Sequence, residues 1–157
     1  SYKSIIGNIE GSINDIEYSG YKYTGIGVNA FSDIDGIGGE VIVNDENLKL
    51  NLSGRVDTKT NVKNCDLSLV INEFRPHSLN LTSDYIGDNF SLNATANISG
   101  SSISNIEGEL SLDSMIVSSG DIITSPEYIQ IQLGSDGIKS NAMDVISANK
   151  HEEIKNI

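Results

Sequence analysis

The chain has 157 residues, a formal net charge of −12 and one cysteine, so it can fold as a single domain but cannot form an internal disulfide or a cysteine-based zinc site. The acidity argues against nucleic acid and against docking on anionic lipid headgroups, because both partners require an excess of Lys and Arg. No apolar run approaches the roughly 20 residues of a membrane-spanning helix. The first residues do not form a basic, apolar signal segment, so we expect a soluble piece.

Apolar and polar side chains alternate along most of the sequence, as at Leu48, Leu50 and Leu52. Successive side chains of a strand point to opposite faces, so this pattern predicts strands with one apolar face and one polar face. In chain order, the predicted strands are Ile5–Ile9, Tyr21–Phe31, Gly38–Asn44, Leu48–Asp57, Cys65–Asn72, Leu79–Leu81, Phe90–Ser99, Ile106–Ser114, Met115–Ser118, Tyr128–Gly134 and Ile138–Ser147. Turn residues separate them and no long helical period intervenes, which favours an all-β antiparallel meander over a parallel βαβ sheet.

The end of the chain allows two interpretations. Ile138–Ser147 fits a last strand, while Met143 and Ile146 also fit part of a helical period. The residues after this stretch are polar enough to fray. We therefore predict one β domain over residues 1–149, followed by a polar tail over 150–157.

Few residues suggest catalysis. His77 lies in a predicted loop, His151 lies in the polar tail, and no local nucleophile signature surrounds any Ser or the single cysteine. Cys65 begins an alternating strand and shares the phase of its apolar residues, so we expect a small buried side chain there rather than a nucleophile. The sequence therefore predicts a protein that is not an enzyme and that has no cofactor.

The acidic stretch from Asp33 to Glu40 has the look of a calcium loop. The twelfth position, which should hold a bidentate acid, is occupied by Asn44, and the other ligand positions are also misplaced. We predict a hairpin turn at this stretch and no metal site.

The apolar phase of the strands has two interpretations. It could fill a closed β-sandwich core, typical of a structural or adhesive surface module without a guest, or it could line an open groove that holds an apolar guest. A carbohydrate-binding module is disfavoured, because the chain lacks Trp and has only 6% aromatic residues for stacking on sugar rings. The residues predicted to line the groove are Leu48, Leu50, Leu52, Leu67, Leu69, Ile71, Phe90, Leu92, Ala94, Ala96, Leu110, Leu112, Ile129 and Ile131.

Three blocks carry a resemblance to a known family. Asp45–Gly54 is similar to a recurrent acidic-x-Asn-Leu-Lys-Leu strand that ends in Gly. Asn72–Thr82 resembles the connection that follows it, and Ser102–Leu112 resembles the next Asn-Ile-acidic-x-Gly strand. In this order the blocks resemble the C-terminal region of the TamB family, in a Bacteroides-like version. These are AsmA-like proteins, the inner-membrane component of the bacterial translocation and assembly module.

The resemblance implies a fold, a location and a function. The fold would be an elongated, curved antiparallel sheet folded over as a β-taco, with a hydrophobic groove inside and polar residues outside. The chain would be a periplasmic fragment of a larger cell-envelope protein, with its inner-membrane anchor outside this chain. The function would be phospholipid transport between membranes, outer-membrane protein assembly, or both. The implied partners are phospholipid or fatty-acyl chains, and an Omp85-type outer-membrane barrel or nascent outer-membrane protein strands.

Overall fold

The computed structural model describes residues 6–83, 89–102, 105–119, 122–124, 128–134 and 137–140, and these residues form strands without helices. The strands are β1 Gly7–Tyr18, β2 Tyr21–Ser32, β3 Gly36–Asn44, β4 Leu48–Asp57, β5 Lys63–Phe74, β6 Asn89–Gly100, β7 Glu107–Ser119, β8 Ile122–Thr124, β9 Ile129–Gly134 and β10 Gly137–Ser140. The all-β class predicted from the alternating pattern is confirmed.

The strands form one antiparallel sheet in nearly sequential order. The path runs from β1 through β7 to β9 and β10, and β8 pairs with the far end of β7. β1 and β10 lie at opposite edges, so the described strands make an open, uncurled sheet. Folding over into a β-taco with an apolar interior therefore stays a prediction.

Two predicted boundaries are wrong in the first half of the sheet. Ile5–Ile9 was expected to be a short strand, but β1 continues to Tyr18 because it pairs with β2 along its whole length. Leu79–Leu81 was expected to be a strand, but it forms a turn in which Asn80 has a φ of 58°. The sequence Leu-Asn-Leu forms a strand at Leu50–Leu52 and a turn at Leu79–Leu81. The left-handed conformation of Asn80 excludes a strand at the second position.

The second half differs in one boundary and in one strand that was not predicted, β8. Ile106–Ser114 and Met115–Ser118, predicted as two strands, are the single strand β7. The apparent break is a β-bulge at Asp113 and Ser114, opposite Asn93 of β6. The predicted strand Ile138–Ser147 is described only as far as Ser140, and the alternative helix and the polar tail over 150–157 lie outside the described residues.

The sheet has almost no core. The chain exposes 11178 Å², against about 7,700 Å² expected for a compact protein of 16.9 kDa. Among the described apolar side chains, Leu79 is fully buried, and Pro76, Ala94 and Ala96 are the others that are buried. A single layer of strands leaves both of its faces open, which explains the large exposed area.

Candidate functional site

One face of the sheet is built from rows of apolar side chains that cross the strands. Residues directly opposite each other in an antiparallel pair point to the same face. The row through Leu52 consists of Gly11, Val28, Val41, Leu52, Leu69, Ala94, Leu112 and Ile129. The row through Leu50 consists of Ile13, Ile26, Val43, Leu50, Ile71, Leu92 and Met115.

Two further rows contain the remaining predicted groove residues, and a fifth row on the same face passes through Ile37, Val56, Cys65 and Ile98. The row through Leu67 consists of Ile9, Ala30, Gly39, Gly54, Leu67, Ala96, Leu110 and Ile131. A shorter row near the sheet end consists of Leu48, Phe74, Phe90 and Val117. The four rows contain no charged residue, and every one of the fourteen predicted groove residues lies in them. The structure thus brings these residues onto one face, while their role in holding a guest stays a prediction.

Two bulges keep the apolar phase on this face. In β5, Asn72 and Glu73 occupy the space opposite one residue of β4, so Phe74 falls in phase with Ile71. The bulge in β7 at Asp113 and Ser114 does the same for Met115. An uncompensated extra residue would turn all following side chains to the other face. The extra polar residue in each strand therefore preserves the apolar rows.

No described element covers the apolar face. Ile9 is 73% exposed, Ile37 is 55% exposed, and both Leu52 and Leu67 are 40% exposed. Shallow depressions of about 320 Å³ and 240 Å³ lie on this face, where Gly39 and Gly7 leave room between larger side chains. Large exposed apolar patches on soluble proteins usually mark a contact with lipid, protein or ligand.

The opposite, polar face carries a larger depression of about 550 Å³. It is lined by short hydroxyl side chains from three adjacent strands, Ser53, Ser68 and Thr95, which lie in one row. The guanidinium of Arg55 lies 5.5 Å from the ring centre of Phe31 at the border of this depression. This depression is therefore local to the polar side of β4, β5 and β6.

The Arg55 guanidinium is fixed by the turn between β2 and β3. It donates to both carboxylate oxygens of Asp33, at 2.9 and 3.1 Å, and the amides of Asp35 and Gly36 donate to the same carboxylate at 2.8 Å. The Arg55 hydrogen bond, with those of the two amides, lowers the pKa of Asp33 from 3.8 to about 2. The predicted hairpin turn between β2 and β3 is confirmed. The Asp33 carboxylate accepts hydrogen bonds from the turn amides and pairs with Arg55.

A buried carboxylate ties one end of the sheet together. Asp45, which is 3% exposed, accepts hydrogen bonds from the Tyr21 hydroxyl at 2.5 Å and from the Thr24 amide and hydroxyl at 2.9 Å each. The Asn47 amide donates to it at 2.9 Å. Burial raises the pKa of Asp45, but these hydrogen bonds outweigh burial and hold the pKa below its ordinary value.

The same sheet end includes the loop between β5 and β6. The Arg75 amide donates to the carbonyl of Asn47 at 3.0 Å, and the Leu79 amide donates to Arg75 at 3.1 Å. The hydroxyl of Ser19, in the β1–β2 turn, donates to the carbonyl of Asn80 at 3.2 Å. We call Ser19, Tyr21, Thr24, Asp45, Asn47 and the loop 75–81 the end cluster. It joins three connections that are far apart in sequence.

The potential metal ligands and nucleophiles considered in the sequence lie apart from one another in the described residues. They contain no group of three or more His, Cys, Asp or Glu side chains that could hold a metal ion. His77 is exposed in the loop 75–81, and His151 lies outside the described residues. Cys65 was predicted to be a small buried apolar residue; it lies opposite Val56 and Ile98 on the apolar face, and its side chain is partly rather than completely buried. No helix in the described part of the chain is long and apolar enough to cross a membrane.

Several residues of the apolar face were missed by the sequence analysis. The strands β2 and β3 contribute Ile26, Val28, Val41 and Val43 to the same rows as the predicted leucines. Their alternation is visible in the sequence and would have identified them. The end cluster had no comparable signal, because Asp45 and Tyr21 are 24 residues apart.

Comparison with protein-family models, with curated proteins and with solved structures finds no match. The resemblance to the TamB family therefore rests on the three sequence blocks.

Proposed function

We propose that the chain is a periplasmic segment of a TamB-like cell-envelope protein whose apolar face holds the acyl chains of phospholipids. Its function would be non-enzymatic, in phospholipid transport between membranes, in outer-membrane protein assembly, or in both. The observation that carries the proposal is the uncovered apolar face, whose rows contain no charged residue.

The direction of the rows suits an acyl chain. They run across the strands, and the row through Leu52 spans eight strands, which is about 34 Å at an inter-strand spacing of ~4.8 Å. One leaflet of a bilayer core is roughly 15 Å thick, so a tail would extend over about three inter-strand steps. A tail could therefore move along the row from strand to strand, because each strand offers it a similar apolar side chain.

The energetics favour binding without a specific site. Each CH₂ group removed from water contributes about 0.8 kcal/mol, so a tail would be held by area rather than by hydrogen bonds. The acidic chain offers little attraction for anionic headgroups. We therefore propose that the tail lies on the apolar face while the headgroup stays in water. Further curling of the sheet around the tail would complete the predicted groove.

The test compares two neighbouring substitutions on β4. Leu52→Asp places a charge on the apolar face, and Ser53→Asp places the same charge on the polar face of the same strand. Each folded protein, checked by circular dichroism, is incubated with phosphatidylethanolamine vesicles, separated from them and analysed by native mass spectrometry. We expect lipid adducts on the wild type and on Ser53→Asp, and their loss in Leu52→Asp.

Two results would contradict the proposal. A wild type without adducts, after purification from bacteria and after lipid is offered, would favour the structural or adhesive module without a guest. Equal lipid uptake by both aspartate variants would show that the apolar face is not where lipid binds.

A further inference from the structure

The polar face of the sheet contains a depression of about 550 Å³ that the function proposed above does not use. Its floor is the row of short hydroxyl side chains on β4, β5 and β6. The adjacent row on the same three strands consists of the longer side chains of Arg55, Asp66 and Asn97, which lie beside the floor. Pockets for small ligands have volumes of about 300–1,000 Å³, so this depression is large enough for one.

Several polar side chains around the depression have no partner in the part of the chain that the structure describes. They are Ser53, Asp66, Ser68, Thr95 and Asn97, none of which makes a side-chain hydrogen bond or ion pair there. By contrast, the hydroxyl of Ser111, which lies in the same row as Thr95, donates to Glu109 at 3.0 Å. The depression thus has donors and acceptors that remain available to a ligand.

An aromatic ring borders the depression. Phe31 extends across Gly38, the residue opposite it on β3, since a Cβ atom added at Gly38 would lie 2.5 Å from Cζ of the ring. The ring thereby approaches the Arg55 guanidinium, which is 5.5 Å from its centre. Asp33 accepts from Arg55 through Nη2 alone, so among the described residues Nη1 and Nε keep their capacity to donate. Phe31 is still 38% exposed, so a ligand in the depression can contact the ring.

The mixture of groups restricts the ligands that fit. An anion would meet the carboxylates of Asp66 and Glu40, and an apolar ligand would leave both without hydrogen bonds. A peptide could not add here as a strand, because β2 to β6 are interior strands that are paired on both sides. A neutral ligand with many hydroxyl groups both donates and accepts, so it can satisfy the carboxylates, the amides, the hydroxyls and the guanidinium together.

We propose that this depression binds a neutral glycan whose hydroxyl groups form hydrogen bonds with Asp66, Arg55 and Asn97. Asp66 accepts from the sugar, Arg55 donates to it, and the Asn97 amide does both. Phe31 contacts the apolar C–H face of one sugar ring. The low aromatic content of the chain disfavoured carbohydrate binding, but a site requires only one ring in the right place.

The dimensions of the site favour an oligosaccharide. From β2, which carries Phe31, to β6, which carries Asn97, there are four inter-strand steps, or about 19 Å at a spacing of ~4.8 Å. This length exceeds a single sugar ring, so several rings would lie across the strands. The inference does not rest on the lipid proposal, because these side chains lie on the opposite face of the sheet.

NMR titration with three neutral tetrasaccharides, cellotetraose, maltotetraose and chitotetraose, tests the site. Asn97→Ala and Asn93→Ala form a matched pair, because both side chains are exposed on the same face of β6 and only Asn97 lines the depression. For the sugar that binds best, we expect the Kd to rise about fivefold in Asn97→Ala and to stay unchanged in Asn93→Ala. Asp66→Ala should raise it by about tenfold or more, since it removes a charged acceptor.

The two aspartate variants of β4 separate this site from the lipid-binding face. Ser53→Asp places a charged side chain on the floor and should abolish sugar binding while lipid adducts persist, and Leu52→Asp should do the reverse. Loss of lipid adducts in the wild type would therefore leave the glycan site standing. No binding of any of the three sugars at millimolar concentration would overturn it. Equal weakening by Asn97→Ala and Asn93→Ala, or tighter binding of a capped, uncharged Gly-Ser peptide than of any sugar, would also overturn it.

Discussion

The end cluster and the apolar face differ in how far their side chains are buried. In the end cluster, Leu79 is completely buried and Asp45 is 3% exposed, although both lie in connections between strands. On the apolar face, Leu52 and Ile9 lie in regular strands and are 40% and 73% exposed. The one fully buried large side chain thus lies where the chain turns, while the larger apolar side chains of the regular strands stay partly exposed. The end cluster thus ties three connections together, whereas no described element covers the face.

The largest expected effect is at the fully buried leucine. Leu79→Ala should lower the free energy of unfolding by about 3 kcal/mol, because it removes a buried side chain and leaves a cavity. Leu52→Ala, the same change on the open face, should cost less than about 1 kcal/mol, since a partly exposed side chain loses little on truncation. Urea denaturation of the two variants measures the difference. Equal losses would mean that the apolar face is covered in solution and that the two regions do not differ.

The buried carboxylate should have the next largest effect. Asp45→Asn replaces one acceptor oxygen by an NH₂ group that faces donors, and we expect a loss of about 2 kcal/mol, typical of hydrogen bonds to a charged group. Glu46→Gln is the matched control, because its side chain is exposed one residue away. Denaturation midpoints would decide between them. If both amides cost the same, Asp45 would contribute through surface charge and not through its hydrogen bonds.

The pH dependence of stability gives a second test of the Asp45 carboxylate. The folded-state pKa of Asp45 is below its ordinary value, as are those of Asp33, hydrogen-bonded to Arg55, and Glu73, hydrogen-bonded to Lys49. Groups with a depressed pKa stabilise the fold above the unfolded pKa, and this stability is lost as the pH falls through the folded pKa. We expect the free energy of unfolding to fall between the ordinary pKa of 3.8 for Asp33 and its folded value of about 2.

Unfolding curves across this acid range would test the linkage. Asp45→Asn should show a smaller decrease on acidification than the wild type, because one of the titrating groups is gone. An identical decrease in both proteins would assign the acid sensitivity to Asp33 and Glu73. Stability that rises toward low pH would contradict the direction of all three shifts.

The strands were predictable because alternation is local information. Leu48, Leu50 and Leu52 identify a strand and its face without knowledge of any neighbour, and the cross-strand pairs follow from the order of a meander. The bulges in β5 and β7 were not predictable, because an extra residue is detected only against the partner strand. The apolar alternation does change phase before Met115, but the change marks the bulge within β7 and not a break between two strands.

The end cluster and the curvature depend on tertiary geometry. Asp45 sits in an Asp-Glu-Asn turn that any hairpin could use, and only the register of β2 with β3, which sets Ile26 opposite Val43, brings Tyr21 to it. The turn at Leu79 was misread as a strand, although Pro76 and the left-handed Asn80 suit a turn better than a strand. Curling of a sheet depends on accumulated twist and on what covers its faces, neither of which the alternating pattern encodes.

The smallest expected effect concerns the exposed hairpin of β1 and β2, which carries part of the apolar rows. Lys22 and Asp15 form an ion pair at 3.0 Å whose side chains are 63% and 46% exposed. Because solvent screens such pairs, Lys22→Gln should change the free energy of unfolding by less than about 0.5 kcal/mol. Denaturation at low and high salt measures it. A loss as large as that of Asp45→Asn would place a second anchor in the hairpin, and stability would then not be concentrated in the end cluster.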